Sequence, residues 1–123
     1  MSEVGVLVHN LYNLTKIAGQ RIDGQATAIG RMDNLRQFDN YSNVDTWHKS
    51  GRIPNDPINN PVTWTENRRW LDERINRGDT FIMTMDPSKL PTQYIKGTPN
   101  GWFTKLEYDH LIKKGAKIIY SYD

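Results

Sequence analysis

A chain of 123 residues with net charge +2 and no cysteine is the size of one domain and can bury a core without staples. It excludes a disulfide framework and a thiolate metal site. No apolar run reaches the roughly 18 residues of a membrane span, and the opening residues lack the charged region and cleavage site of a secretory signal.

In chain order, residues 1–24 show no sustained period and read as a linker, with a short helical turn around Leu11–Ile17. Gln25–Ile29 is a strand of small and β-branched residues ending at Gly30-Arg31. Met32, Leu35 and Phe38 recur at helical spacing, which predicts a short helix over 32–38. Residues 39–62 are irregular: Pro54, Pro57 and Pro61 exclude a continuous helix or central strand, though Val44–His48 has the composition of a short strand.

Thr63-Trp64-Thr65-Glu66 is a capping box, and Trp64, Leu71 and Ile75 share one face of a helix over 64–77 that stops at Gly78. Phe81–Met85 is the near-continuous apolar run of a buried strand, ended by Asp86-Pro87. A second loop, 86–102, follows. Thr104-Lys105-Leu106-Glu107 repeats the capping box, with Phe103 and Tyr108 spaced as a hydrophobic staple, and predicts a helix to Lys114 stopped by Gly115. Residues 117–122 close the chain as a strand. Strands alternating with helices predict an α/β (or α+β) fold: a single small sheet of about four strands with three main helices.

Two stretches carry a resemblance. Val6-Leu7-Val8-His9-Asn10 resembles the VLVHN-type junction that closes the pretoxin region of bacterial polymorphic toxins. In those proteins a long carrier of the rearrangement-hotspot, wall-associated or contact-dependent inhibition type ends in an interchangeable toxin domain. An ordered set further on is similar to a pattern at the ends of many such toxins. It comprises Ile29-Gly30-Arg31 with Asp33, Trp64-x-x-Asn67-x-x-Trp70, Arg77-Gly78-Asp79-x-Phe81, and Thr104-x-x-Glu107 with Leu111. The resemblance implies a junction and linker over 1–24 and a toxin domain over 25–123. It further implies secretion or surface delivery within a larger bacterial protein, action in the target-cell cytoplasm, and a cognate immunity protein as partner. Members of the class are often nucleases acting on transfer RNA; others hydrolyse NAD or transfer from it.

In an open α/β sheet the ligand crevice lies at the carboxyl ends of the strands, beside helix N-termini that favour phosphate. The expected order brings Gly30–Asp33, Trp47-His48-Lys49 and Met85-Asp86 to that rim. Arg31, directly after a strand, has the fork to grip a phosphate and stabilise developing charge, or else it pairs with Asp33 or Asp79. His48 has the reference pKa of a proton-transfer group, unless it is an ordinary loop histidine. His110 reads as structural, and His9 lies in the linker.

Lys49 and Arg52 are candidate phosphate ligands. Arg68 and Arg69 form either an RNA-facing surface or solvated helix charges paired with Asp72 and Glu73. Trp47 and Trp102 flank the expected crevice as stacking surfaces, whereas Trp64 and Trp70 read as core. Glu107 is a base or a capping residue, and Thr104 is a substrate-binding or a capping residue.

The histidines are too scattered for a metal-nuclease motif, and no nucleotide-binding glycine loop occurs. A metal-independent ribonuclease cleaving transfer RNA, with no cofactor, fits these features, because RNA supplies its own nucleophile. Arg31, His48, Asp33 and Glu107 are its candidate catalytic residues. The alternatives are an NAD glycohydrolase or ADP-ribosyltransferase, and a non-catalytic interaction domain.

Overall fold

A computed structural model describes residues 25–50, 63–93 and 102–122. The junction and linker, His9, Arg52, most of the proline-rich loop and the stretch 94–101 lie outside the described residues.

Four strands form one sheet: β1 (Ala26–Ile29), β2 (Val44–Asp45), β3 (Thr80–Met83) and β4 (Ile118–Tyr120). Their order is β2-β1-β3-β4, and every neighbouring pair is parallel. β1 pairs with β3 from Ala26↔Thr80 to Ile29↔Met83, and β4 extends the register through Ile82↔Ile119. Parallel neighbours cannot be joined by a hairpin, so each connection crosses over through helical chain. These crossovers carry α1 (Met32–Leu35, continued by a 3₁₀ turn to Phe38), α2 (Thr63–Asn76) and α3 (Trp102–Lys114). The fold is α/β, as the alternation of elements predicts.

Side-chain alternation along the strands divides the core into two layers. Ala26, Ala28, Ile82 and Ile119 pack on Leu35 and Phe38 behind the sheet. Ile29, Phe81 and Met83 pack on Trp70 and Leu71 of α2 and Leu111 of α3 in front. Covering both faces buries β1 and β3 along their whole length, which explains why their sequences are nearly continuous in small and apolar residues.

Helices α2 and α3 end in the same hydrogen-bonded stop. Gly78 N–H donates to Ile75 O and Asp79 N–H to Arg74 O; Gly115 N–H donates to Ile112 O and Ala116 N–H to Leu111 O. This is the Schellman pattern, and it needs the positive φ that glycine adopts at 87° and 69°.

Charged clamps then fix the layers. The Asp79 carboxylate, buried at the start of β3, accepts from Thr27 Oγ1 (2.6 Å), Arg77 Nε (2.6 Å) and Arg77 Nη2 (2.9 Å). Arg74 grips Asp45 Oδ2 through Nε (3.0 Å) and Nη2 (2.7 Å) while lying 4.4 Å over the Trp70 ring, which ties α2 to β2. His110 Nε2 donates to Asp72 Oδ1 (2.7 Å) and joins α3 to α2.

Three local expectations change. Strand β2 has only two residues, because Trp47 turns into the front core and His48–Ser50 winds into a 3₁₀ turn. The 32–38 helix tightens to 3₁₀ geometry at Arg36. Helix α3 begins at Trp102, not at Thr104, so the second capping box does not form. Thr104 and Glu107 are interior helix positions and both are buried, while Phe103 lies tilted against Trp64 with centroids 6.4 Å apart. Among the described residues no helix is long and apolar enough to cross a membrane.

Candidate active site

The sheet reverses its winding between β1 and β3: the chain leaves β1 toward β2 on one side, and leaves β3 toward β4 on the other. Diverging crossovers open a crevice above the carboxyl ends of those two central strands, the place where open α/β sheets take their ligands. A cleft of about 710 Å³ lies beside it over the ends of β3 and β4, walled by Thr84, Met85 and Asp86 after β3, by Tyr120 and Tyr122 at the end of β4, and by Asn34 and Gln37 after β1. Its floor is held tight. Thr84 Oγ1 donates to Ile29 O (2.8 Å), and a Cβ placed on Gly30 would come within 1.9 Å of that hydroxyl oxygen. Only glycine, at φ +152°, lets the two strand ends approach so closely.

In front of the sheet, the amino-terminal halves of α2 and α3 point toward the same carboxyl edge, because both helices run antiparallel to the strands. Where they pack together, the stripe Trp64, Leu71 and Ile75 on α2 contains a polar interruption at Asn67, and the stripe ending at Leu111 on α3 contains Thr104 and Glu107. All three polar residues are buried. Burial in this apolar seam raises the Glu107 carboxyl from 4.5 to about 8, and only the neighbouring Asn67 carboxamide opposes the shift by favouring the ionised form. Among the described residues Asn67 Nδ2 and Oδ1 have no partner within normal hydrogen-bond distance and angle, so the carboxamide acts on Glu107 from outside that geometry, an unusual state for a fully enclosed amide. A carboxyl kept neutral near pH 7 beside an unsatisfied amide is costly for folding. Such perturbed groups cluster where chemistry is done.

The surroundings are aromatic. Trp64 meets Phe103 at 6.4 Å and the His110 ring edge-on at 6.2 Å. Tyr108, next to Glu107, shares a hydroxyl–hydroxyl hydrogen bond of 3.0 Å with Tyr120, so the helix that bears Glu107 is joined to the cleft wall. That bond, chiefly, pushes the Tyr108 phenol up to about 12.

The other candidates are dispersed around this centre. Arg31 stands exposed at the carboxyl end of β1, 3.6 Å from Asp33, a loose and solvated pair. His48 lies on the β2 edge with both ring nitrogens engaged: Nε2–H donates to Asp39 Oδ1 (2.7 Å), and Nδ1 faces Thr46 Oγ1 (3.1 Å). Lys49 Nζ donates to the carbonyls of Phe38, Tyr41 (3.0 Å) and Val44 (2.7 Å), so its ammonium closes the chain turn instead of facing a ligand. Desolvation lowers its pKa.

Trp47 is buried edge-on against Trp70, 5.4 Å away, and offers no stacking face. Arg68 and Arg69 are exposed on α2, where Asp72 accepts from His110 instead. Trp102 is half-buried at the first turn of α3. Asn67 is the site residue that a search for charged groups passes over. Its signal was a polar residue at an apolar position of a helical stripe.

Among the described residues no three His, Asp or Glu side chains converge as a metal-binding set. Compared with family models, curated proteins and solved structures, the chain has no match in any of the three.

Proposed function

We propose that residues 25–123 are the effector domain of a bacterial polymorphic toxin and that the domain consumes NAD, with Glu107 acting at the nicotinamide ribose. The observation that carries this reading is the buried Glu107 carboxyl in the seam between α2 and α3, whose desolvation raises its pKa, on a helix tied through Tyr108 to the Tyr120 cleft wall.

The chemistry needs one carboxylate. Breaking the C1′–N1 bond of NAD expels nicotinamide, which takes the bonding electrons and leaves neutral without protonation. The ribosyl cation that remains needs a negative charge nearby, and the water that adds at C1′ must lose a proton. Ionised Glu107 meets both demands, and the products are ADP-ribose, nicotinamide and one proton. A desolvated carboxyl is also matched to a cationic substrate, since the pyridinium charge favours the ionised form on binding. Arg31, exposed after β1, remains available for the pyrophosphate.

Ribonuclease action on transfer RNA is the second reading, favoured by the exposed Arg68 and Arg69 and the net positive charge. It calls for an acid, a base and a cation around one phosphate. His48 and Lys49, the residues best typed for that work, are held by Asp39, Thr46 and three backbone carbonyls. A carrier protein preceding the domain, delivery into the cytoplasm of a target cell and a neutralising immunity protein belong to either reading.

Expression of the chain in a bacterium, with NAD assayed and total RNA run on a denaturing gel from the same lysate, tests the choice. NAD depletion with intact RNA, abolished by Glu107→Gln, is the expected result. Discrete transfer-RNA fragments with NAD unchanged would transfer the assignment to the nuclease, and normal growth with both intact would remove the toxin reading.

A further inference from the structure

The cleft above β3 and β4 has a wall composition that the cleavage chemistry leaves unused. We infer that it binds a nucleoside monophosphate moiety, the adenylate half of the dinucleotide, which rests on the NAD reading for its biological meaning but not for its chemistry.

Each part of such a ligand has a counterpart on the wall. Tyr120 and Tyr122 project from the end of β4 as exposed rings, 39% and 43% accessible, set edge to face with centroids 6.4 Å apart. Large aromatic surface left in water at the mouth of a cleft suits stacking on a base. Asp86 offers a carboxylate for ribose hydroxyls, the role acidic residues take at such crevices. Its Oδ1 accepts both the Ser88 amide (3.0 Å) and the Ser88 hydroxyl (2.8 Å), which keeps the group ionised and fixes its orientation. Among the described residues Oδ2 is left to accept from a ligand.

Lys89, on the next turn, is exposed and makes no ion pair among the described residues, so its ammonium can meet one phosphate. Opposite, Gln37 Nε2 donates to the Asn34 backbone carbonyl (2.7 Å), which holds the Gln37 carboxamide at the rim beside that of Asn34, and the two bring acceptor and donor atoms for a base edge. One aromatic pair, one carboxylate, one cation and two amides in a cleft of about 710 Å³ match a mononucleotide in size and in charge. The location agrees, because the cleft borders the carboxyl end of β3, one of the two strands at the winding reversal, and its Tyr120 wall is bonded to the helix carrying Glu107.

The test is a titration of the 123-residue chain with AMP, followed by backbone amide NMR shifts, with inorganic phosphate and ribose 5-phosphate as comparison probes. Saturable shifts at Thr84, Lys89, Ser121 and Tyr122 with AMP are expected, weakened about tenfold or more by Tyr122→Ala and by Lys89→Ala. Both side chains are exposed, so the variants keep the fold. No shift at these amides at about 10 mM AMP, shifts confined to another surface, or equal shifts with phosphate alone would each overturn the inference. AMP binding in the cleft of a protein that leaves NAD intact would sustain the inference and defeat the catalytic reading, so the two failures are separable.

Discussion

Substituting Glu107 by glutamine should make the protein more stable as pH rises, even as it removes activity. The folded protein holds the Glu107 proton up to about pH 8, whereas the unfolded chain releases it near 4.5. Between these values the native state binds the extra proton, so stability falls as pH increases. The contribution is fully present below 4.5 and is gone above about 8. Each pH unit inside the window costs about 1.4 kcal/mol, or about 5 kcal/mol across it.

Glu107→Gln keeps the shape and the neutral carbonyl but cannot titrate. Urea denaturation of both proteins from about pH 5 to about pH 8 should therefore show the variant gaining on wild type by about 1.4 kcal/mol per pH unit. His48 and His110 are common to both proteins and cancel in the difference. Curves that stay parallel would refute the assignment of a buried, uncharged Glu107. Under the proposed NAD reading the same protonation sets the activity: kcat/KM for NAD should climb with pH toward an apparent pKa of about 8, because the proposed hydrolysis needs the ionised form.

Gly30→Ala would drive a Cβ to 1.9 Å from Thr84 Oγ1 and break its bond to Ile29 O, so a loss of about 2–4 kcal/mol is expected in urea unfolding. Asp79→Ala strips Thr27 and Arg77 of their shared acceptor and should cost about 3–5 kcal/mol, read as a fall in melting temperature. Lys49→Met removes the donor to three carbonyls and should cost about 2–3 kcal/mol, with NAD consumption per folded molecule retained. His48→Gln should leave NAD turnover within about threefold of wild type, whereas a loss of about a hundredfold would return the histidine to the reaction.

The order of elements was legible because its signals are local. Gly78 and Gly115 stop helices through their own backbone, and Phe81–Met83 reads as buried because both faces of β3 are covered. The strand order β2-β1-β3-β4 was not legible, since pairing depends on where crossovers pass and not on any strand's composition. Thr104-x-x-Glu107 shows the limit of a local motif. The pattern satisfies a capping box, but packing against α2 extends the helix back to Trp102 and carries both residues inside. Lys49 and Trp47 looked like ligand groups because a loop sequence does not reveal that an ammonium is enclosed by its own chain's carbonyls, or that an indole is folded into the core. Asn67 and Glu107 became a site only once the two helix seams met.

A sheet in which every neighbour is parallel has a consequence for timing. No pair of adjacent strands can zip from a tight turn, so the central strand cannot be completed by anything near it in the chain. β1 finds its full-length neighbour only when β3 exists, and the Thr27–Asp79 bond that fastens them joins residues 52 positions apart. Closing that loop is the slow event, and pairings of such long span put folding on the order of milliseconds to seconds. Before it, β1 has only the two-residue β2 beside it. A chain that emerges from its N-terminus therefore does so without its core, and gains its cleft only after its last strand has arrived.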